Sequence, residues 1–197
     1  MNPSDKNRKI LSSSSMIFTL ILGAIALTRF SHELTAFSLP DASLILFLAG
    51  GILLKRLSYL LALLCALFLI DGYAIMSHQY ANVAFNPGYL IHLATYLFAW
   101  MTALKFLSNG QAKTSKFFTI SGLVICMAYL LSYGSFFLLN HSGDVNSLYT
   151  FLMQDLIVFI TANFVYLGLL FLVMKINQHI VNQNTTARAL INNWLFQ

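Results

Sequence analysis

Asp71 ends the uncharged apolar run Leu60–Ile70, and Gly72 follows it. A carboxylate at the end of such a run is costly in an apolar setting and needs a partner or a function. Five of the six acidic residues, Glu33, Asp41, Asp71, Asp144 and Asp155, fall at one set of segment ends, with His32, His78, His92 and His141. Tyr80, Asn82, Phe85, Asn86, Tyr89, Tyr133, Phe136 and Asn140 crowd the same stretches. Carboxylates, imidazoles, amides and rings brought together make a ligand mouth, in which polar atoms orient a molecule and rings cover it. The plainer alternative is that loops are polar and that Tyr favours membrane interfaces. Arg29 is the one basic residue in the group. Its role is either an ion pair with Asp41, Asp71 or Glu33 or direct contact with a ligand.

Catalytic residue sets are missing. There is no His-Glu-x-x-His helix, no Gly-rich phosphate loop and no Gly-x-Ser-x-Gly elbow. No pair of histidines has a nearby carboxylate at one-turn spacing with which to hold a metal. The chain is therefore not expected to be an enzyme, nor to carry a cofactor of its own.

The elements that must position these residues follow from composition. The 197 residues are 58% hydrophobic and only 9% charged. A soluble domain carries about 25% charged residues, so the bilayer is the natural solvent. Charge-free apolar runs of about 20 residues mark membrane helices. Six are expected: Leu11 to Thr28, Asp41 to Leu54, Leu57 to Met76, Gly88 to Leu107, Phe117 to Leu139 and Leu148 to Met174. The runs do not alternate as barrel strands would. The second is short at about 1.5 Å per residue, and Pro40 suits its first turn. Ten of the eleven Lys and Arg residues lie before helix 1, between helices 2 and 3, between helices 4 and 5, or after helix 6. Only Arg29 lies on the other side. The positive-inside rule then places both termini in the cytoplasm and the mouth outside. These charges set orientation, so the net charge of +5 does not imply nucleic acid.

One domain is expected over residues 1–176, with a polar tail over 177–197 whose Leu190, Ile191, Trp194, Leu195 and Phe196 suit a short amphipathic helix. Helix 1 and the Ala24-Ile25-Ala26 that follows its apolar stretch also have the outline of a signal peptide; a retained helix is preferred. Cys65 and Cys126 fall inside apolar runs and are expected to be buried structural thiols. Ser15, Thr19 and Gly23 recur every four residues on helix 1. Such a small-residue face admits a close neighbouring helix, from a partner protein or from the same bundle.

Arg29-Phe30-Ser31-His32, Leu39-Pro40-Asp41-Ala42-Ser43 and Phe47-Leu48-Ala49-Gly50, then Ile70-Asp71 with Tyr73-Ala74-Ile75, and Pro87-Gly88-Tyr89, occur in that order. In these motifs the chain resembles the BtuM family, small bacterial membrane proteins that transport vitamin B12 and are related to the S components of energy-coupling-factor transporters. A weaker echo follows at Ser132 to Phe137, so the resemblance covers roughly residues 29 to 140. It implies an all-α, six-helix S-component bundle in the bacterial inner membrane, with an outward corrinoid pocket and cobalamin as transported ligand. A membrane coupling protein and cytoplasmic ATPases would supply the energy, with Ser15, Thr19 and Gly23 as the docking face. The pocket would draw on Arg29, Asp41, Asp71, His78, Phe85, Asn86, Tyr89, Tyr133 and Phe136. One departure is clear. The family has a cobalt-binding Cys in the loop after helix 3, and here Ala84 stands in its place. Neither Cys65 nor Cys126 lies where it could substitute. His78 is the first candidate for cobalt and His92 the second, imidazole being a natural ligand. The competing readings are an S component for a different small ligand and a membrane scaffold that transports nothing.

Overall fold

The computed structural model describes residues 3–29, 40–78, 87–108, 113–140 and 145–195. They form six helices and no strand: α1 (Pro3–Arg29), α2 (Ser43–Leu53), α3 (Leu57–His78), α4 (Pro87–Phe106), α5 (Thr114–Asn140) and α6 (Val145–Leu195).

The short α2 is the centre of the bundle. It touches α1, α3, α4 and α6, and all its residues except Leu46 and Leu53 are buried. A helix that is apolar all round is a helix that neighbours surround. Asp41 fixes its start. One carboxylate oxygen accepts the Ser43 backbone N–H at 2.9 Å and the Ser43 hydroxyl at 2.5 Å. That local turn keeps residues 41 and 42 out of the helix. α2 therefore begins at Ser43, two residues later than expected, and Pro40 precedes its first turn rather than joining it.

Two glycines let α4 approach α2 closely. A Cβ on Gly50 would overlap the ring of Trp100, and one on Gly51 would overlap the Trp100 carbonyl oxygen and sit 2.9 Å from the Ala103 Cβ. Trp100, Phe47 and Tyr96 are fully buried beside this notch, with the Phe47 and Tyr96 rings stacked at 4.9 Å.

At the other end of α2, Lys55 adopts φ 58, a left-handed conformation. Its N–H closes the helix on the Gly50 carbonyl at 3.4 Å, and its Nζ donates to the Ser108 carbonyl at 2.6 Å. A non-glycine residue pays roughly 1–2 kcal/mol for that backbone; the ammonium bond offsets part of it. Lys55→Ala keeps the strain and loses the bond, whereas Lys55→Gly loses both. The Ala variant is therefore expected to melt lower than the Gly variant by the equivalent of about 1 kcal/mol. Thermal unfolding in detergent measures this, and equal midpoints would remove the left-handed backbone from the explanation.

Two helical stretches among the described residues, Thr114–Leu139 and Leu148–His179, are long and apolar enough to cross a membrane. Both stand with large apolar side chains exposed, among them Leu123, Leu138, Ile157 and Val173. So broad an apolar surface needs an apolar medium, which makes the chain an all-helical bundle that associates with membrane.

Two helices outrun the apolar segments that mark them. α1 begins at Pro3 rather than near Leu11, and α6 continues unbroken through 177–195 instead of yielding to a separate tail helix. Lipid contact ends where polarity begins, but a helix ends where the backbone is stopped. The sequence after Met174 contains neither Gly nor Pro to stop it. The two thiols also correct expectation: Cys65 and Cys126 are exposed, not buried. When the surroundings are as apolar as the core, an apolar run carries no signal of which face points inward. Ser15, Thr19 and Gly23 likewise lie on the outer surface of α1, with nothing near Gly23 to meet a Cβ. That face does not serve packing among the described helices.

Candidate functional site

All six helices contribute side chains to one region: Arg29 of α1, Ser43 of α2, Asp71 of α3, Tyr96 of α4, Ser132 of α5 and Asn163 of α6. Arg29, the last residue of α1, is their hub. Its Nε donates to Ser43 Oγ at 3.2 Å, its Nη1 to Asp71 Oδ1, and its Nη2 to Asp41 Oδ2 at 3.2 Å and to the Tyr96 hydroxyl at 2.8 Å. The planar fork of a guanidinium suits such divergent acceptors. The second Asp71 oxygen accepts the Tyr89 hydroxyl at 2.7 Å. One guanidinium thus ties α1, the entry to α2, α3 and α4. The Arg29 and Asp71 side chains are only 15% and 14% exposed, against 41% for Asp41.

Tyr96 carries the network inward. Its hydroxyl lies 2.6 Å from His92 Nε2 and 3.2 Å from Asp41 Oδ2, and His92 Nδ1 lies 2.9 Å from Ser132 Oγ on α5. With the tyrosine proton on the shorter contact, Nε2 accepts and Nδ1 carries the ring proton toward Ser132. Both imidazole nitrogens are then engaged within the protein. Tyr89, His92 and Tyr96 stand at i, i+3 and i+7 along α4, one face of a helix.

A cavity of about 310 Å³ opens beside this network, between the entry to α2 and helices α4, α5 and α6. Asp41, His92, Tyr96, Ser132, Tyr133 and Asn163 are among the residues that line it, with Asp155 and Phe159 on α6. Residues 155, 159, 162 and 163 share one helical face, which turns this stretch of α6 into a wall. The Tyr166 hydroxyl, just beyond, donates to the Pro40 carbonyl at 2.8 Å and holds α6 to the entry of α2. At the opposite end a second space of about 480 Å³ is bordered by Lys55, Ser108, Lys175 and Gln178.

Arg29, Asp41, Asp71, Tyr89 and His92 therefore meet in one network, and Tyr133 lines the adjoining cavity. Phe85 and Asn86, and the side chains of His78 and Phe136, lie outside the described residues, as do His32, Glu33, Ala84, His141 and Asp144. Sequence reasoning did not single out Tyr96, Ser132 or Asn163. The spacing of Tyr96 from Tyr89 and His92 is a signal that could have found it. Asn163 is an amide inside an apolar helix, and such a residue marks a function by its cost alone. Among the described residues no three His, Cys, Asp or Glu side chains are placed to hold a metal ion.

No family model matches this chain, and no curated protein matches it.

Proposed function

We propose that this protein is the ligand-binding membrane subunit of a small-molecule uptake system, with cobalamin or a related corrinoid as the ligand. The observation that carries the reading is the cavity beside the Arg29 network, a region to which all six helices contribute side chains. Small-molecule sites are concave, part apolar, and furnished with a few convergent polar groups. In this reading the chain crosses the bacterial inner membrane six times, both termini face the cytoplasm, and the cavity faces outward. The distribution of Lys and Arg supports that orientation. The motifs from Arg29 to Phe137 support the corrinoid and the S-component bundle. A membrane coupling protein would dock on the outward Ser15-Thr19-Gly23 face of α1, and cytoplasmic ATPases would drive the cycle.

A smaller ligand is the second reading. The volume of about 310 Å³ favours it, because sites for drug-sized molecules span roughly 300–1,000 Å³ and a corrinoid is larger than a typical drug. Protein ligation of cobalt falls to His78 in the first reading. His92 would first have to release Tyr96 or Ser132.

The test is to purify the protein in detergent from cells grown with cobalamin and record its visible spectrum. Corrin bands near one per chain are expected, with positions that report whether a nitrogen base sits on cobalt. A colourless protein that also fails to take up added cobalamin or cobinamide would reject the corrinoid and leave the smaller ligand.

A further inference from the structure

We infer that the cavity recognises the positively charged, N–H-bearing part of its ligand, with Asp155 and Asn163 of α6 as the recognition residues. This deepens the uptake reading and rests on it for the identity of the site as a ligand site, though not on the corrinoid.

Asn163 is 2% exposed and forms part of the cavity wall. Its Nδ2 donates to the Phe159 carbonyl at 2.9 Å, and its Oδ1 has no partner among the described residues. The assignment of the two ends is forced, because a carbonyl at Phe159 needs the amide's NH2. What remains open is an acceptor. A buried acceptor without a donor costs about 1–3 kcal/mol, which a ligand that donates to it would recover.

Charge points the same way. Arg29 stands against two carboxylates, Asp41 and Asp71. Asp155 adds a third at the cavity and forms no ion pair among the described residues. Among the described residues no Lys or Arg lines the cavity. His92 sits with its ring nitrogens spoken for by Tyr96 and Ser132. An anion entering here meets carboxylates and no cation among the described lining residues, since Arg29 beside them is already matched, whereas a cation meets an unmatched carboxylate. Asp155 and Asn163 are eight positions apart, about 12 Å of helix, and Phe159 stands between them on the same face. Tyr133 meets Phe159 edge-on at 5.8 Å. Rings flanking a carboxylate are the surroundings that a flat, delocalised organic cation prefers.

Three flat probes of one shape separate the possibilities: benzamidinium, benzamide and benzoate, which carry a positive, a zero and a negative charge. Binding to the detergent-purified full chain is read by ligand-observed NMR and by thermal shift. Benzamidinium is expected to bind tighter than benzamide, and benzoate not to bind. Asp155→Asn should weaken benzamidinium by about tenfold or more, the loss of one hydrogen bond to a charged group, and leave benzamide unchanged. Asn163→Val should weaken both amidinium and amide. Both variants must melt near wild type without probe; where Asn163→Val does not, Asn163→Thr replaces it. Benzoate binding as well as benzamidinium, Asp155→Asn without effect, or no binding of any probe would each overturn the inference. A colourless protein that keeps this order of charge rejects the corrinoid alone. Corrin bands without the order of charge reject the inference alone.

Discussion

Replacing Arg29 with methionine is expected to destabilise the bundle by about 3–5 kcal/mol, the cost of stranding a buried charge whose partner has gone. Asp71 is the charge left behind. It is 14% exposed, and after the substitution only the Tyr89 hydroxyl remains to it among its hydrogen bonds described above. Asp41 suffers less, because it is 41% exposed and keeps the N–H and hydroxyl of Ser43. The pair Arg29→Met with Asp71→Asn should therefore recover most of the loss, since a neutral amide is far cheaper to bury than a carboxylate. Arg29→Lys should fall between. It keeps the charge but has no planar fork to serve Ser43, Asp71, Asp41 and Tyr96 at once. Thermal unfolding in detergent, followed by the fraction that survives size-exclusion, ranks the four proteins. An Arg29→Met protein that melts with wild type, or a double variant no better than the single, would show that the network does not hold the helix ends together.

The second large effect lies at the glycine notch. Gly51→Ala is expected to cost about 1–3 kcal/mol as overpacking, although Ala is the better helix former by about 1 kcal/mol. The added Cβ meets the Trp100 carbonyl oxygen and the Ala103 Cβ, neither of which can turn aside. The three nearest atoms to a Cβ at Gly50 all belong to the six-membered ring of Trp100. Trp100→Phe should therefore relieve Gly50→Ala in part and leave Gly51→Ala as damaged as before. Gly23→Ala is the control, since nothing lies near its Cβ position; it should be neutral or slightly stabilising. The same melting assay decides. Gly51→Ala at wild-type stability would mean that α2 and α4 can separate at no cost.

How much of this could be read from sequence depends on polarity at helix ends. Arg29, Asp41, Asp71 and Tyr89 were legible because each is polar at the boundary of an apolar run, and such boundaries are few. The pattern of Lys and Arg separated two groups of helix ends. The structure keeps Arg29, Asp41 and Asp71 at one end, with Lys55 and Lys175 at the other. Tyr96 and Ser132 were not legible, because a hydroxyl within an apolar helix is common and reveals no partner until the helices are placed. The sidedness of Cys65 and Cys126 was unreadable for a different reason: the chain's exterior is as apolar as its core. The place of α2 was half legible. Its shortness was evident, but that a short helix would be the one that four others surround was not.

The glycine notch also decides which parts can move. Gly50 and Gly51 seat α2 against Trp100 backbone to backbone, so α2 and α4 form a single stiff strut, and α5 is bound closely along α4. Among the described residues α6 packs chiefly on α5 and on α2, and more sparsely. A cleft with one clamped wall and one loosely hung wall opens in a single direction. The loose wall is the one that carries Asp155, Phe159 and Asn163. If the cleft opens, these side chains swing away together while Arg29, Tyr96 and His92 stay fixed, so the cavity widens by one displacement, like a door that turns against a fixed jamb.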